Sequence, residues 1–217
     1  MYICSLKEKL MLKVENISVS YDGESVLEAF SCHVRRGDFA CVTGRSGCGK
    51  TSLLKALVGM APIGDGVVCV DGDVLNEKSC HIVRGKVSYL PQDLQFPYDY
   101  VKDFVDVMMR VGKMDDRTKF LLGLQDNMTL LGLDEELLHR RMTELSGGQR
   151  QRLVLAVLAL LDKELWLLDE PTAALDEESR NLVIDFLLGL QRKGKTIVAV
   201  SHDACFASHC SKLIRID

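Results

Sequence analysis

The string "GRSGCGKT", Gly44 to Thr51, decides the fold. It follows "FACVT" (Phe39–Thr43), a short apolar strand pattern, and precedes "TSLLKALVGM", whose apolar residues recur at helical spacing. Strand, glycine loop and helix start in that order fit G-x-x-x-x-G-K-[ST] in the context its chemistry needs. Glycines let backbone N–H groups close around phosphates, so Gly44, Arg45, Ser46, Gly47, Cys48, Gly49 and the helix-opening Ser52 form the expected wall of a phosphate site. Lys50 brings a mobile charge toward the β- and γ-phosphates, and the Thr51 hydroxyl is placed to ligate Mg2+.

Around this loop, strand and helix patterns alternate. Leu12–Ser20 and Val26–Val34 read as strands joined by the turn "YDGES", and "VVCVDG" and "KVSYL" are short strands. From Val101 to His139 the pattern is helical, with Val101, Phe104, Val105, Met108 and Val111 expected on one face. Helix Gly147–Leu161, strand Leu165–Leu168, helix Glu177–Arg192, strand Thr196–Val200 and a terminal strand Leu213–Ile216 complete the chain. Buried strands alternating with helices predict an α/β fold: a P-loop parallel-sheet core, a β-rich antiparallel N-terminal subdomain and an inserted helical subdomain at about residues 94–160. One domain over 1–217 is expected, and because Met11 is itself a plausible start, residues 1–10 read as an extension.

The 27 basic and 31 acidic residues give a net charge of −4, with no Lys/Arg block, which disfavours nucleic acid as a partner. The longest apolar run, Leu153–Leu161, falls far short of the roughly 20 residues of a membrane-spanning helix. The opening "MYICSLKEKLMLKVENI" carries no apolar core with a small-residue cleavage site, so no signal peptide is expected and the compartment reads as cytoplasmic. Eight dispersed cysteines without a CxxC pair are expected to be mostly buried, reduced thiols. The cluster "HDACFASHC", His202–Cys210, crowds four ligand types onto one short helix, a poor frame for tetrahedral zinc.

Three further elements narrow the chemistry. "LWLLDE", Leu165–Glu170, is a buried strand ending in two carboxylates at the sheet edge where α/β folds bind ligands. There Asp169 is suited to hold Mg2+ and Glu170 to polarise a water that attacks a γ-phosphate. "VAVSHD" delivers His202 to the same edge. "ELSGGQRQRLVLAVLALL", Glu144–Leu161, sets Ser146, Gly147, Gly148 and Gln149 at a second helix start, again a site suited to an anion.

Taken in order, "GRSGCGKT", "LSGGQRQR", "LLDEPTAALD" and "VSHD" resemble the ATP-binding cassette (ABC) family of ATPases from Tyr21 to His202. The resemblance implies ATP and Mg2+ as cofactors. It assigns Tyr21 to stack on adenine, Gln92 in "VSYLPQD" to sense Mg2+ and nucleotide, and Ala174, Leu175 and Asp176 to the loop after the second carboxylate. It also implies that two cassettes dimerise around two ATP molecules. Each site then takes Lys50, Thr51, Gln92, Asp169, Glu170 and His202 from one chain and Ser146, Gly147, Gly148 and Gln149 from the other. Lengths point the same way: a helix from Gly147 to Leu161 is about 22 Å long against about 13 Å for strand Leu165–Leu168, so if the two pack antiparallel Ser146 overshoots the carboxylate edge.

Within this family the helical insert docks on an integral-membrane permease, and "DLQFPYDYVKDFV" offers Leu94, Phe96, Pro97, Tyr98 and Tyr100 directly after Gln92. The expectation is therefore the ATP-hydrolysing subunit of an ABC transporter, peripheral on the inner face of the cell membrane. An insert without heptads argues against chromosome-maintenance ATPases, and one P-loop argues against the translation-factor type. A cassette driving a division or lipoprotein-release machine is the alternative, and a non-hydrolysing nucleotide-binding scaffold a more distant one.

Overall fold

The computed structural model describes residues 10–21, 24–173 and 175–216. Two sheets share the work. The first is antiparallel, built from β1 (Leu10–Tyr21), β2 (Glu24–Arg35), β4 (Val67–Val70) and β5 (Asp73–Val74) in the order β2-β1-β4-β5. The second contains β3 (Phe39–Gly44), β6 (Val87–Leu90), β7 (Leu165–Asp169), β8 (Thr196–Val200) and β9 (Lys212–Ile216), ordered β6-β7-β8-β3-β9 with every pairing parallel.

Parallel strands need crossovers, and helices supply most of them. They are α1 (Lys50–Leu57), α2 (Cys80–Gly85), α3 (Val101–Val111), α4 (Arg117–Leu130), α5 (Gly147–Leu160), α6 (Glu177–Arg192) and α7 (Ala204–Ser208). Both faces of the parallel sheet are covered, which is why β7 and β8 are buried at every position. Leu165 and Leu167 point into a core shared with α1 and the antiparallel sheet, while Trp166 and Leu168 point into one shared with α3–α6. Alternation along a single strand thus divides the interior into two cores.

β1 carries a bulge that the simple alternation of Leu12–Ser20 omits. Buried Leu12 and Val14 are followed by buried Ile17 and Val19, a change of phase accommodated at Asn16, whose φ is +53°. Lys86, just before β6, ties the two sheets through Asp71 Oδ2 at 3.0 Å and Asp73 Oδ2 at 2.6 Å. Arg36 adds a second cation on Asp71.

The helical stretch expected over Val101–His139 is broken twice. α3 stops at Gly112, Lys113 turns left-handed (φ +53°), and Asp116 restarts the chain by capping α4 through the Lys119 N–H at 3.0 Å. Gly132 (φ +62°) ends α4, and only a 3-10 turn, Glu135–His139, follows. Val111 departs from the expected buried face: at the last position of α3 it is 62 % exposed. The cysteines also correct the reading. Among those described only Cys41 is fully buried; Cys205 is exposed and the others lie between. Residues 1–9 and Ala174 fall outside the described residues, so of the extension expected over 1–10 only Leu10 is described, as the first residue of β1.

Candidate nucleotide site

β3, β7 and β8 end side by side, and the residues just beyond them build a cleft of about 230 Å3. Ser46, Gly47, Gly49, Lys50, Thr51 and Ser52 line it from the loop after β3, and Gln92, Asp169 and Glu170 line it from the loops after β6 and β7. Val26 and Val200 complete the wall. Two glycines are obligatory for the loop's shape. Gly49 opens α1 with φ +89°, and a Cβ there would stand 2.6 Å from the Val26 carbonyl oxygen. At Gly44 a Cβ would meet the Ile216 carbonyl oxygen at 2.5 Å. Lys50 Nζ donates to the carbonyl oxygens of Gly44 (3.0 Å) and Arg45 (2.7 Å), which holds the ammonium across the loop, where a phosphate would compete for it.

The two carboxylates are treated differently by their surroundings. Asp169 is fully buried and, among the described residues, neither of its carboxylate oxygens has a hydrogen-bond partner. Burial raises its pKa, opposed by the neighbouring Thr51 hydroxyl and by the charges of Lys55 and Lys50. A buried, unpartnered carboxylate beside a threonine hydroxyl suits a hard divalent cation, so these residues fit Mg2+.

Glu170 is clamped from three sides. Its N–H donates to Val200 O at 2.9 Å, its carbonyl accepts from Gln151 Nε2 at 2.8 Å, and its Oε1 lies 2.8 Å from His202 Nδ1. It holds φ at +50°, a left-handed conformation that costs a glutamate roughly 1–2 kcal/mol. Strain of this kind is kept where surrounding contacts over-determine it, and it aims Glu170 into the cleft. The His202 side chain is 71 % exposed, and its pKa is raised by the hydrogen bond to Glu170 and by that residue's charge. With Nδ1 engaged, Nε2 is the ring nitrogen left for a ligand.

Not every expected residue lines the cleft. Tyr21 stands at the end of β1, 38 % exposed, beside two residues outside the described set. Cys48 turns toward a separate groove beside β2 and Arg215, with its Sγ 3.9 Å from Lys50 Nζ. Ser146 caps α5 through the Gln149 N–H (3.1 Å), while the Gln149 side chain returns a bond to the Ser146 N–H (2.9 Å). Of the four signature residues only Gly147 comes near, lining a neighbouring hollow of about 170 Å3 with Gln92, Gln151 and Glu170. Gln92 belongs to both spaces. In the loop after Glu170, Leu175 packs against the core and Asp176 caps α6 through the Ser179 N–H (2.8 Å).

Gln151 was absent from the residues picked out in the sequence. Its signal was nonetheless there: a glutamine on the stripe of α5 that otherwise carries buried aliphatics.

Comparison with known proteins accords with this geometry. A family model described as ABC transporter matches residues 27–173. The chain belongs to the ABC transporter family. A glutamate/aspartate import ATP-binding protein of Escherichia coli is 33% identical over 204 residues, spanning 91% of this chain and 83% of that protein. A phosphonates import ATP-binding protein of Trichormus variabilis is 31% identical over 211 residues, spanning 91% and 85%. The solved dimer of a bacterial ABC transporter cassette superposes with a TM-score of 0.86 at 24% identity, covering 95% of this chain and 94% of that one, and shows the shared fold. The ABC cassette is thus an ATP-binding ATPase.

Proposed function

We propose that this ABC cassette hydrolyses ATP, with Mg2+, as the peripheral motor subunit of a membrane importer, and that two cassettes act together on a permease at the cytoplasmic face of the membrane. The two curated importer relatives support the direction. The observation that carries the reading is a division of labour. Lys50, Thr51, Gln92, Asp169 and Glu170 converge on one cleft, whereas Ser146, Gly148 and Gln149 are not among its lining residues, although their helix start is built for an anion. A second cassette is the natural source of the nucleotide that meets them. Residues 1–217 act as one nucleotide-binding domain, with residues 94–160 as its helical insert.

In each composite site Lys50 and the loop N–H groups hold the β- and γ-phosphates, while Tyr21 supports the base. Mg2+, held through Thr51, Asp169 and Gln92, would neutralise charge developing on the phosphates. Glu170 orients the attacking water and His202 contacts the γ-phosphate, since this chemistry is mainly positioning and charge stabilisation.

The permease surface is the groove of about 410 Å3 after Gln92, lined by Leu94, Phe96, Pro97 and Tyr98. Phe96 stacks edge-on against Phe104 of α3 with ring centres 5.2 Å apart, so the groove is braced by the helical insert. Among the described residues no helix is long and apolar enough to cross a membrane. The deciding experiment is light scattering of Glu170→Gln with and without ATP and Mg2+, beside the ATPase rate of the parent. ATP-dependent dimerisation with turnover in the parent is expected. A monomer that binds ATP but does not pair refutes the shared sites.

A further inference from the structure

Gln151 joins two parts of the chain that the dimer reading assigns to different nucleotides. It sits on α5, one turn past the Ser146–Gln149 cap, with 6 % exposure. Its Nε2 donates to the Glu170 carbonyl oxygen at 2.8 Å, and its Oε1 is buried without a hydrogen-bond partner among the described residues. The other tethers on Glu170 come from β8 and the loop after it, through Val200 O and His202, and from the turn that follows, where the Ala173 N–H donates to the same carbonyl at 3.3 Å. Among the described residues, only the Gln151 hydrogen bond ties Glu170's backbone to the helix that begins at the signature.

The residue so held is one that needs holding. Glu170 keeps φ at +50°, a conformation that non-glycine residues leave unless contacts fix them. A change in the direction of α5 would pull on that carbonyl and rotate the peptide carrying the carboxylate. Gly147, Gln92, Gln151 and Glu170 share the 170 Å3 hollow, so this movement has room to occur beside the Mg2+-sensing glutamine.

We propose that Gln151 is a positioning residue for Glu170, and that it makes the carboxylate of one composite site respond to the nucleotide engaged by the same chain's signature in the other. The second half of this inference rests on the paired-cassette reading. When Ser146 and its neighbours meet the partner's ATP, α5 is fixed, and the hydrogen bond to Glu170 carries that fixation to the chain's own cleft.

The test compares Gln151→Met, which keeps the length and removes the donor, with Gln151→Asn, which keeps the amide on a shorter arm. Loss of one positioning hydrogen bond should lower kcat about tenfold in Gln151→Met, with ATP Kd within about twofold of the parent and the melting temperature little changed. Gln151→Asn should fall between the two, and it supplies the measurement if the methionine variant fails to fold. The Hill coefficient for ATP should drop toward one in Gln151→Met. An unchanged kcat, or a kcat that falls only in step with ATP affinity and melting temperature, overturns the positioning role. A Hill coefficient equal in parent and variant overturns the coupling. Dimerisation of Glu170→Gln with ATP, measured alongside, separates the two readings. If that variant stays monomeric the pairing has failed, and the kcat of Gln151→Met still judges the positioning.

Discussion

Replacing Glu170 by glutamine should make the nucleotide-free cassette more stable while it removes turnover. Glu170 is 9 % exposed, its Oε2 is buried without a partner among the described residues, and only Oε1 is engaged, by a histidine that is itself 71 % exposed. Leaving a buried polar atom unsatisfied costs about 1–3 kcal/mol, more when it is charged. A pair with so exposed a partner returns only about 0.2–1 kcal/mol. Glutamine retains the shape and an oxygen to accept from His202, keeps the same φ of +50°, and puts a neutral amide NH2 where the buried, unpartnered Oε2 stood, so the cost of burying charge is removed while that of an unpaired polar group stays. The net gain is about 1–2 kcal/mol. For a chain of 217 residues, about 2–4 °C accompanies each kcal/mol, so the melting temperature should rise by about 2–8 °C. Differential scanning calorimetry at neutral pH, without nucleotide and with chelator, makes the comparison. A lower melting temperature in Glu170→Gln would show that the pair with His202 outweighs the burial of the carboxylate, and would refute the reading of this site as one that gives up stability for catalysis.

Gly49→Ala forces a Cβ to within 2.6 Å of the Val26 carbonyl at φ +89°; it should abolish ATP binding and destabilise the chain by about 1–3 kcal/mol, read by calorimetric titration and thermal melting. Alkylation of Cys48, whose Sγ lies 3.9 Å from Lys50 Nζ, should crowd the loop and weaken ATP binding, and normal binding by fully alkylated protein would contradict this. Burial alone would lower the pKa of Lys86, but the hydrogen bonds it donates to Asp73 and Asp71 outweigh it and raise the value. That pairing therefore stabilises the fold below the ordinary lysine value of 10.5 and is lost as pH rises through the raised one. Lys86→Met should melt lower than the parent at pH 8, by the equivalent of about 1 kcal/mol, and the gap should close as pH rises through the raised lysine value. Phe96→Ala should leave the ATPase rate of the isolated cassette near that of the parent while reducing co-purification with its permease.

Much of the site was legible because its chemistry is local. "GRSGCGKT" needs only its glycines, lysine and threonine in that order to fold into a phosphate loop, and the strand "LWLL" needs only its apolar run to place Asp169 and Glu170 at a sheet edge. The two breaks in the helical insert were less visible. Lys113 adopts a left-handed turn that nothing in its own chemistry requests, and Val111, though apolar and at helical spacing with the buried face, is exposed at the last position of α3.

The sequence by itself determined the main strands and the helices opening at Lys50, Gly147 and Glu177, the composition of the phosphate loop and the carboxylate pair, since each depends on neighbouring residues along the chain. Only the tertiary structure decided that Asp169 is buried with no hydrogen-bond partner among the described residues while Glu170, one position later, is turned left-handed and held by Val200, Gln151 and His202. Those three contacts come from 19 to 32 positions away in the chain. Long-range packing sets the burial, the charge environment and the backbone strain of a residue, and none of these can be read from its neighbours in sequence.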